Sequence, residues 1–116
     1  MKAYTLSNNS LLTALTNDYS QEHALVEWMK MNNFSKTDFL VGISSSGLSK
    51  NILFALEHAS DCLALTFSIF GMKGLEPFPR HSHDHSYIHI DSFNYGVIEL
   101  TSEIILHGIV EDLVIE

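Results

Sequence analysis

Apolar and polar residues alternate along this chain in blocks whose period changes, and the blocks predict its elements. Ala3–Leu6 reads as a short strand, and Ser7-Asn8-Asn9 as a turn leading into a helix over Ser10–Leu15. Gln21–Met31 places Ala24, Leu25, Trp28 and Met29 on one helical face, and Asn32-Asn33 ends it. Asp38–Ile43 is apolar throughout, the pattern of a strand covered on both faces. Leu48–Ala59 repeats Ile52, Leu53, Leu56 and Ala59 at helical spacing. Leu63–Phe67 predicts a third strand, Ile69–His85 a long loop holding Pro77 and Pro79, Tyr87–Ile90 a short strand, and Val97–Ile115 a long final helix. Strands alternating with helices predict an α/β domain with a mainly parallel sheet.

Composition narrows the picture. At 116 residues the chain is one domain at most, and 46% hydrophobic residues suffice for a core. Six Lys+Arg against 14 Asp+Glu give a formal charge of −8, which argues against a nucleic-acid partner, because that needs a basic patch. No run is apolar enough to span a membrane and no signal peptide is visible, so the expected compartment is the cytoplasm. The single cysteine, Cys62, has no internal disulfide partner. It sits in the apolar run 62–67 and reads as a buried small hydrophobe rather than a reactive thiol.

The segment Phe39–Ile52 carries the most chemistry. An apolar strand runs into Ser44-Ser45-Ser46-Gly47-Leu48-Ser49 and then into a helix. Backbone N–H groups at a helix start, the positive end of the helix dipole and a ring of hydroxyls together hold a phosphate dianion without many basic residues. Gly47 allows a close approach or a positive φ. The plainer reading is a polar turn with Ser49 as helix N-cap, and the two roles are compatible. In parallel sheets ligands bind at the carboxyl ends of strands, beside a switch point, and this turn lies at such an end.

Three other clusters stand out. Asn17-Asp18 closes a helix, where such residues are common in turns. Glu99, Glu103, His107 and Glu111 recur every four residues on a mostly apolar helix, which suggests a buried seam rather than a solvated face. His81, His83, Asp84, His85 and His89 look like zinc ligands at first, since alternate residues of an extended segment share a face. Their spacing falls one residue short of the metallohydrolase His-x-His-x-Asp-His pattern, and a solvated loop with adventitious metal affinity is the simpler reading.

Gly42-Ile43-Ser44-Ser45-Ser46-Gly47-Leu48-Ser49-Lys50-Asn51-Ile52 resembles the phosphate-binding turn of the sugar isomerase (SIS) family, and within it the phosphoheptose isomerase group. Leu48 stands where Asn is usual and Ser45 where Thr is common. Leu11–Tyr19, Leu63–Thr66, and Asn94–Glu99 followed by His107 are similar to further segments of that family, in order along nearly the whole chain. The resemblance implies a three-layer, flavodoxin-like parallel sheet. It implies phosphate contacts at Ser44, Ser45, Ser46 and Ser49, an active-site aspartate at Asp18, an acid or metal ligand at His107 and a second ligand at Glu99. One zinc ion and a homo-oligomer, often a tetramer, come with it. Eight residues of straight helix span about 12 Å, so Glu99 and His107 of one chain meet at one ion only through a kink or a shared site. An interface histidine is the plainer role for His107. The histidine-bearing stretch around His83 corresponds to a variable loop of the family.

The family's first, central strand is missing, with its Gly-Asn-Gly-Gly-Ser turn and the following helix that carries a His and a Glu. The expectations are a fragment of a longer product, an internal start at Met1, or a partner that supplies the strand. Two functions follow from the resemblance. The first is an aldose–ketose isomerase most like sedoheptulose 7-phosphate isomerase, inactive or nearly so as this chain alone because the family's glutamate base lies on the missing helix. The second is a non-catalytic phosphosugar-binding or scaffold protein, as in SIS-domain regulators and the replication-initiator-associating relative. Asp18, Glu99 and His107 favour the first, and the missing segment favours the second or a truncated product; Ser102 and Gly96, where the family usually carries His and some members an acidic residue, weaken the first.

Overall fold

The computed structural model of the chain describes residues 2–72 and 84–115, with side chains through residue 112. Four helices and three strands follow in the order α1 (Asn9–Asp18), α2 (Ala24–Met31), β1 (Phe39–Ser44), α3 (Lys50–Asp61), β2 (Leu65–Phe70), β3 (His85–His89) and α4 (Tyr95–Ile115). The strands form one parallel sheet in the order β1-β2-β3. Leu40 pairs with Thr66, Ser44 with Phe70, and Phe70 with His89, so the row Ser44, Phe70, His89 closes the carboxyl edge. The α/β class and the parallel sheet agree with the sequence pattern.

The core lies between α2, α3 and one sheet face. Met29, Ala55, Ala59 and Ala64 form its centre, with Leu25, Trp28, Phe34 and Leu40 packed around them. Small residues let α3 come down on the sheet. A Cβ on Gly42 of β1 would stand 3.0 Å from Ile52 and 3.1 Å from Leu56, and Leu56 is fully buried.

Helices α2 and α3 end in the same way. Phe34 N–H donates to Met29 O and Asn33 N–H to Lys30 O; Ala64 N–H donates to Ala59 O and Leu63 N–H to Ser60 O. Each is a Schellman stop, with the first residue beyond the cap in the left-handed region (Asn33 φ 55, Leu63 φ 62). Asn tolerates that backbone and Leu does not favour it. This explains why β2 starts at Leu65 and not at Leu63. Cys62 is accordingly the half-buried cap of α3, its Sγ 3.8 Å from His58 Nε2, rather than the fully buried small hydrophobe expected.

Further expectations are corrected. Ala3–Leu6 pairs with no strand and runs irregularly into α1, whose Asn8 cap accepts from Leu11 N–H. A lone strand has no ladder to satisfy its backbone. The predicted loop from Ile69 is shorter at both ends, because Ile69 and Phe70 complete β2 and His85 opens β3. Pro77, Pro79, His81 and His83 lie outside the described residues. Finally, β1 is covered on one face only. Leu40, Gly42 and Ser44 turn toward α3, while Phe39, Val41, Ile43 and, beside them on β2, Leu65 stay exposed.

Helix α4 touches the body through its foot. Ile98 is fully buried, and a Cβ on Gly71 would lie 2.4 Å from its Cδ1. Ser102, one turn on, is also buried and donates to Ile98 O at 2.7 Å. Above this point Leu100 and Ile104 are exposed, the latter by 70%, on a helix that is apolar almost all round. The seam expected along Glu99, Glu103, His107 and Glu111 is therefore exposed in the single chain. Its spacing is as expected, and His107 Nε2 stands 3.9 Å from Glu103 Oε1, but no element packs over it among the described residues.

Candidate functional site

The serine turn follows directly from the carboxyl end of β1. Ser44 is buried; its Oγ accepts from Gly47 N–H at 3.0 Å and donates to Ser49 Oγ at 3.0 Å. Ser44 O accepts from Gly47 N–H (3.2 Å) and Gly71 N–H (3.3 Å), which ties the turn to the end of β2. Ser46 Oγ accepts from Leu48 N–H at 3.1 Å. Gly47 adopts φ 74, the backbone its lack of Cβ permits. Ser49 stands at the N-cap of α3, but its hydroxyl makes no cap bond and receives Ser44 instead. The two readings of this turn thus separate. Ser44 and Ser46 hold the loop's shape, while the proton of Ser49 and the hydroxyl of Ser45 stay uncommitted among the described residues.

The turn has helix-dipole potential and little formal charge. Lys50, first residue of α3, reaches Glu22 at 3.5 Å, an exposed pair that solvent screens. Beside it a cleft of about 410 Å³ opens between α1, α2 and the first turn of α3, lined by residues that include Thr13, Thr16, Asn17, Gln21 and Asn51. Asn17 and Asp18 are the last residues of α1; Asp18 is exposed and is not part of the lining. Glu99 and His107 are exposed on α4, whose foot reaches the turn through the Ser44–Gly71–Ile98 contacts. One chain therefore gathers the serines, and sets Asn17 and Asn51 in one cleft, but does not bring Asp18, Glu99 and His107 onto the turn.

The donors themselves decide how far zinc fits. A carboxylate and an imidazole suit zinc, but α4 is unbroken from Tyr95 to Ile115. No group of three His, Cys, Asp or Glu is poised around one point among the described residues. The set in one chain is short of what an ion needs.

The sequence reading puts His85 in a solvated loop with adventitious metal affinity; the structure puts it on a strand. It lies half-buried on β3 with Nδ1 2.7 Å from Thr66 Oγ1 and Nε2 3.3 Å from Ser68 Oγ, both hydroxyls buried on β2. Its signal was the two-residue alternation Thr66, Ser68 against His85, Tyr87, which puts all four on one face. Burial holds the His85 pKa below its ordinary 6.5. The folded chain therefore favours neutral imidazole. The unfolded chain takes up the proton first as pH falls, so His85 gives full stability above 6.5 and loses it as pH falls below that value. Wild type is expected to lose more stability than His85→Gln between about pH 7.5 and about pH 5.5 in urea melts. Equal losses would remove His85 from the pH dependence.

No protein-family model matches the chain. Individual proteins do. The phosphoheptose isomerase of Helicobacter pylori strain Shi470 is 41% identical over 75 residues, 64% of this chain and 38% of that protein. A Thermoplasma volcanium protein described as a probable phosphoheptose isomerase is 40% identical over 68 residues, 58% of this chain and 34% of its own. The solved phosphoheptose isomerase of Neisseria gonorrhoeae superposes with a TM-score of 0.79 at 24% identity, over 88% of this chain and 56% of its own, a likeness of fold. That of Francisella tularensis gives 0.76 at 25% identity, over 87% and 54%. The match thus spans little more than a third of the two curated relatives and about half of the solved chains. Over these spans the chain is similar in sequence to phosphoheptose isomerases and shares the fold of the solved ones.

Proposed function

We propose that the serine turn binds the phosphate of a heptose 7-phosphate, and that the chain carries part of the site of an aldose–ketose isomerase most like sedoheptulose 7-phosphate isomerase. The observation that carries this is the turn itself. At the N-terminus of a twelve-residue helix, two serines brace the loop and a third keeps its hydroxyl proton free to donate. Relatives named as phosphoheptose isomerases support the sugar. Isomerisation moves a proton between adjacent carbons through an enediol, and needs a base, an acid and an anchor distant from the reacting carbons. Ser44, Ser45, Ser46 and Ser49 form the anchor. Asp18 and His107 are the acid–base candidates. Glu99 and His107 stand eight residues apart on unbroken α4, so they would hold one zinc ion only where two chains share it. The exposed residues of β1 and α4 suit burial in a cytoplasmic homo-oligomer, with a tetramer as the family resemblance implies.

Because the family's glutamate base has no counterpart here, the chain as given is expected to bind without appreciable turnover. Calorimetric titration with sedoheptulose 7-phosphate, beside a coupled isomerase assay, checks this. Saturable binding with no turnover is the expected result. Turnover by a clean preparation would place the base within this chain. The absence of any phosphate-dependent binding would overturn the reading. The second function, a phosphosugar-binding protein without catalysis, shares the anchor; Ser102, where the family often has histidine, is buried and bonded to Ile98 O, which weakens the isomerase reading.

A further inference from the structure

We infer that Ile98 and Gly71 are positioning residues for the phosphate anchor: α4, through its buried foot, fixes the direction in which the serine turn presents its donors. This rests on the proposed phosphate reading and deepens it. Neither side chain has a polar atom that could touch a phosphate. Their place in the fold is the carboxyl edge of the sheet, where the segments leaving β1, β2 and β3 are tied together by backbone hydrogen bonds. Gly71 N–H donates to Ser44 O at 3.3 Å, Met72 N–H to Ser92 O at 2.9 Å and Ile90 N–H to Phe70 O at 2.8 Å. Ser92 Oγ accepts from Asn94 N–H at 3.1 Å, and Asn94 caps α4, its Oδ1 accepting from Val97 N–H at 3.1 Å. A continuous strap thus runs from the serine turn through Gly71, Met72, Ser92 and Asn94 to the start of α4.

Packing makes the same link a second time. Ile98 is fully buried and lies so close on Gly71 that an added Cβ would stand within 3.0 Å of its Cδ1, Cγ1 and Cγ2. Gly71 therefore has no room to shift toward α4, and its N–H stays on Ser44 O. Ser44 is the partner on which the turn converges. Its carbonyl accepts from Gly47 N–H and Gly71 N–H, while its Oγ accepts from Gly47 N–H and donates to Ser49 Oγ. At 3.3 Å the Gly71 bond is longer than the usual value of about 2.9–3.0 Å, so it opens first when Ile98 recedes. Hydrogen bonds weaken steeply as they bend, and a turn with little formal charge depends on how its donors are aimed.

Titration calorimetry with inorganic phosphate and with sedoheptulose 7-phosphate tests this, on the full chain at a temperature where every variant is folded. Ile98→Val removes Cδ1, the nearest of the three carbons, and is expected to weaken both ligands by the same factor, about 2- to 10-fold. Gly71→Ala forces the two residues apart from the other side and weakens both ligands as well. Val26→Ala is the control: it truncates a buried side chain on α2, so it lowers the urea midpoint but leaves both affinities as in wild type. Lost stability alone does not move the affinity of folded protein, so the contrast between Ile98→Val and Val26→Ala separates positioning from packing. If Ile98→Val or Gly71→Ala binds as wild type does, or if Val26→Ala weakens phosphate equally, α4 does not position the turn. If wild type binds neither ligand, the phosphate reading fails and this inference fails with it.

Discussion

Gly71→Ala is expected to lower the stability of the chain by about 2–3 kcal/mol, the upper part of the range for overpacking. The reason is steric and local. The added Cβ would stand 2.4 Å from Ile98 Cδ1, 2.7 Å from Cγ1 and 3.0 Å from Cγ2. A single methyl at the end of a side chain could rotate away, but three carbons of one fully buried isoleucine cannot all clear the same point. The backbone is held too. Gly71 N–H donates to Ser44 O and Met72 N–H to Ser92 O, so moving the glycine disturbs the serine turn and the approach to α4 together. A double-mutant cycle in urea checks the cause. Ile98→Ala alone opens a cavity and costs about 2–5 kcal/mol. With the methyl added at Gly71 entering that space, the double variant should be more stable than the sum of the two losses predicts. Strict additivity would show that the two residues do not collide.

This contact also marks the limit of what the sequence reveals. Helical spacing announced α2 and α3, because each has one apolar face and a core to meet. The parallel sheet followed from the alternation of elements. Boundaries moved where tertiary hydrogen bonds overrode local pattern. Leu63 looks like a strand residue, yet a Schellman stop claims it at φ 62. Ala3–Leu6 has strand composition but no neighbour with which to form a ladder. Apolar residues on β1 and α4 announced burial that the single chain does not provide, since hydrophobicity records what a surface avoids and not what covers it. The serine turn was legible as a motif; the division of labour among its serines was not, because hydroxyl partners depend on where Gly47 and Leu48 point their N–H groups. Gly71 went unread, and His85 was read as part of a solvated loop, for the same reason: their partners lie 27 and 19 residues away.

That division of labour gives the second large effect. If the turn holds a phosphate as proposed, the serines should fall into two classes when replaced singly by alanine. Ser49 bonds only another hydroxyl, and its own proton is free to donate. Ser49→Ala is therefore expected to reduce phosphosugar affinity about 10- to 100-fold, the worth of a hydrogen bond to a charged group, with little change in urea midpoint. Ser44 is buried and serves the loop: its Oγ accepts from Gly47 N–H and orients the Ser49 hydroxyl. Ser44→Ala should lower both stability and affinity. The stability loss stays near about 1 kcal/mol, because Gly47 N–H keeps the Ser44 carbonyl as acceptor at 3.2 Å. Ser46→Ala resembles Ser44→Ala more weakly, since Ser46 Oγ accepts from Leu48 N–H at an exposed position. Measuring both midpoint and affinity for each variant separates structure from contact. A Ser49→Ala protein that melts early yet binds phosphosugar normally would return Ser49 to the role of an ordinary helix-start residue, and with it the turn to plain structure.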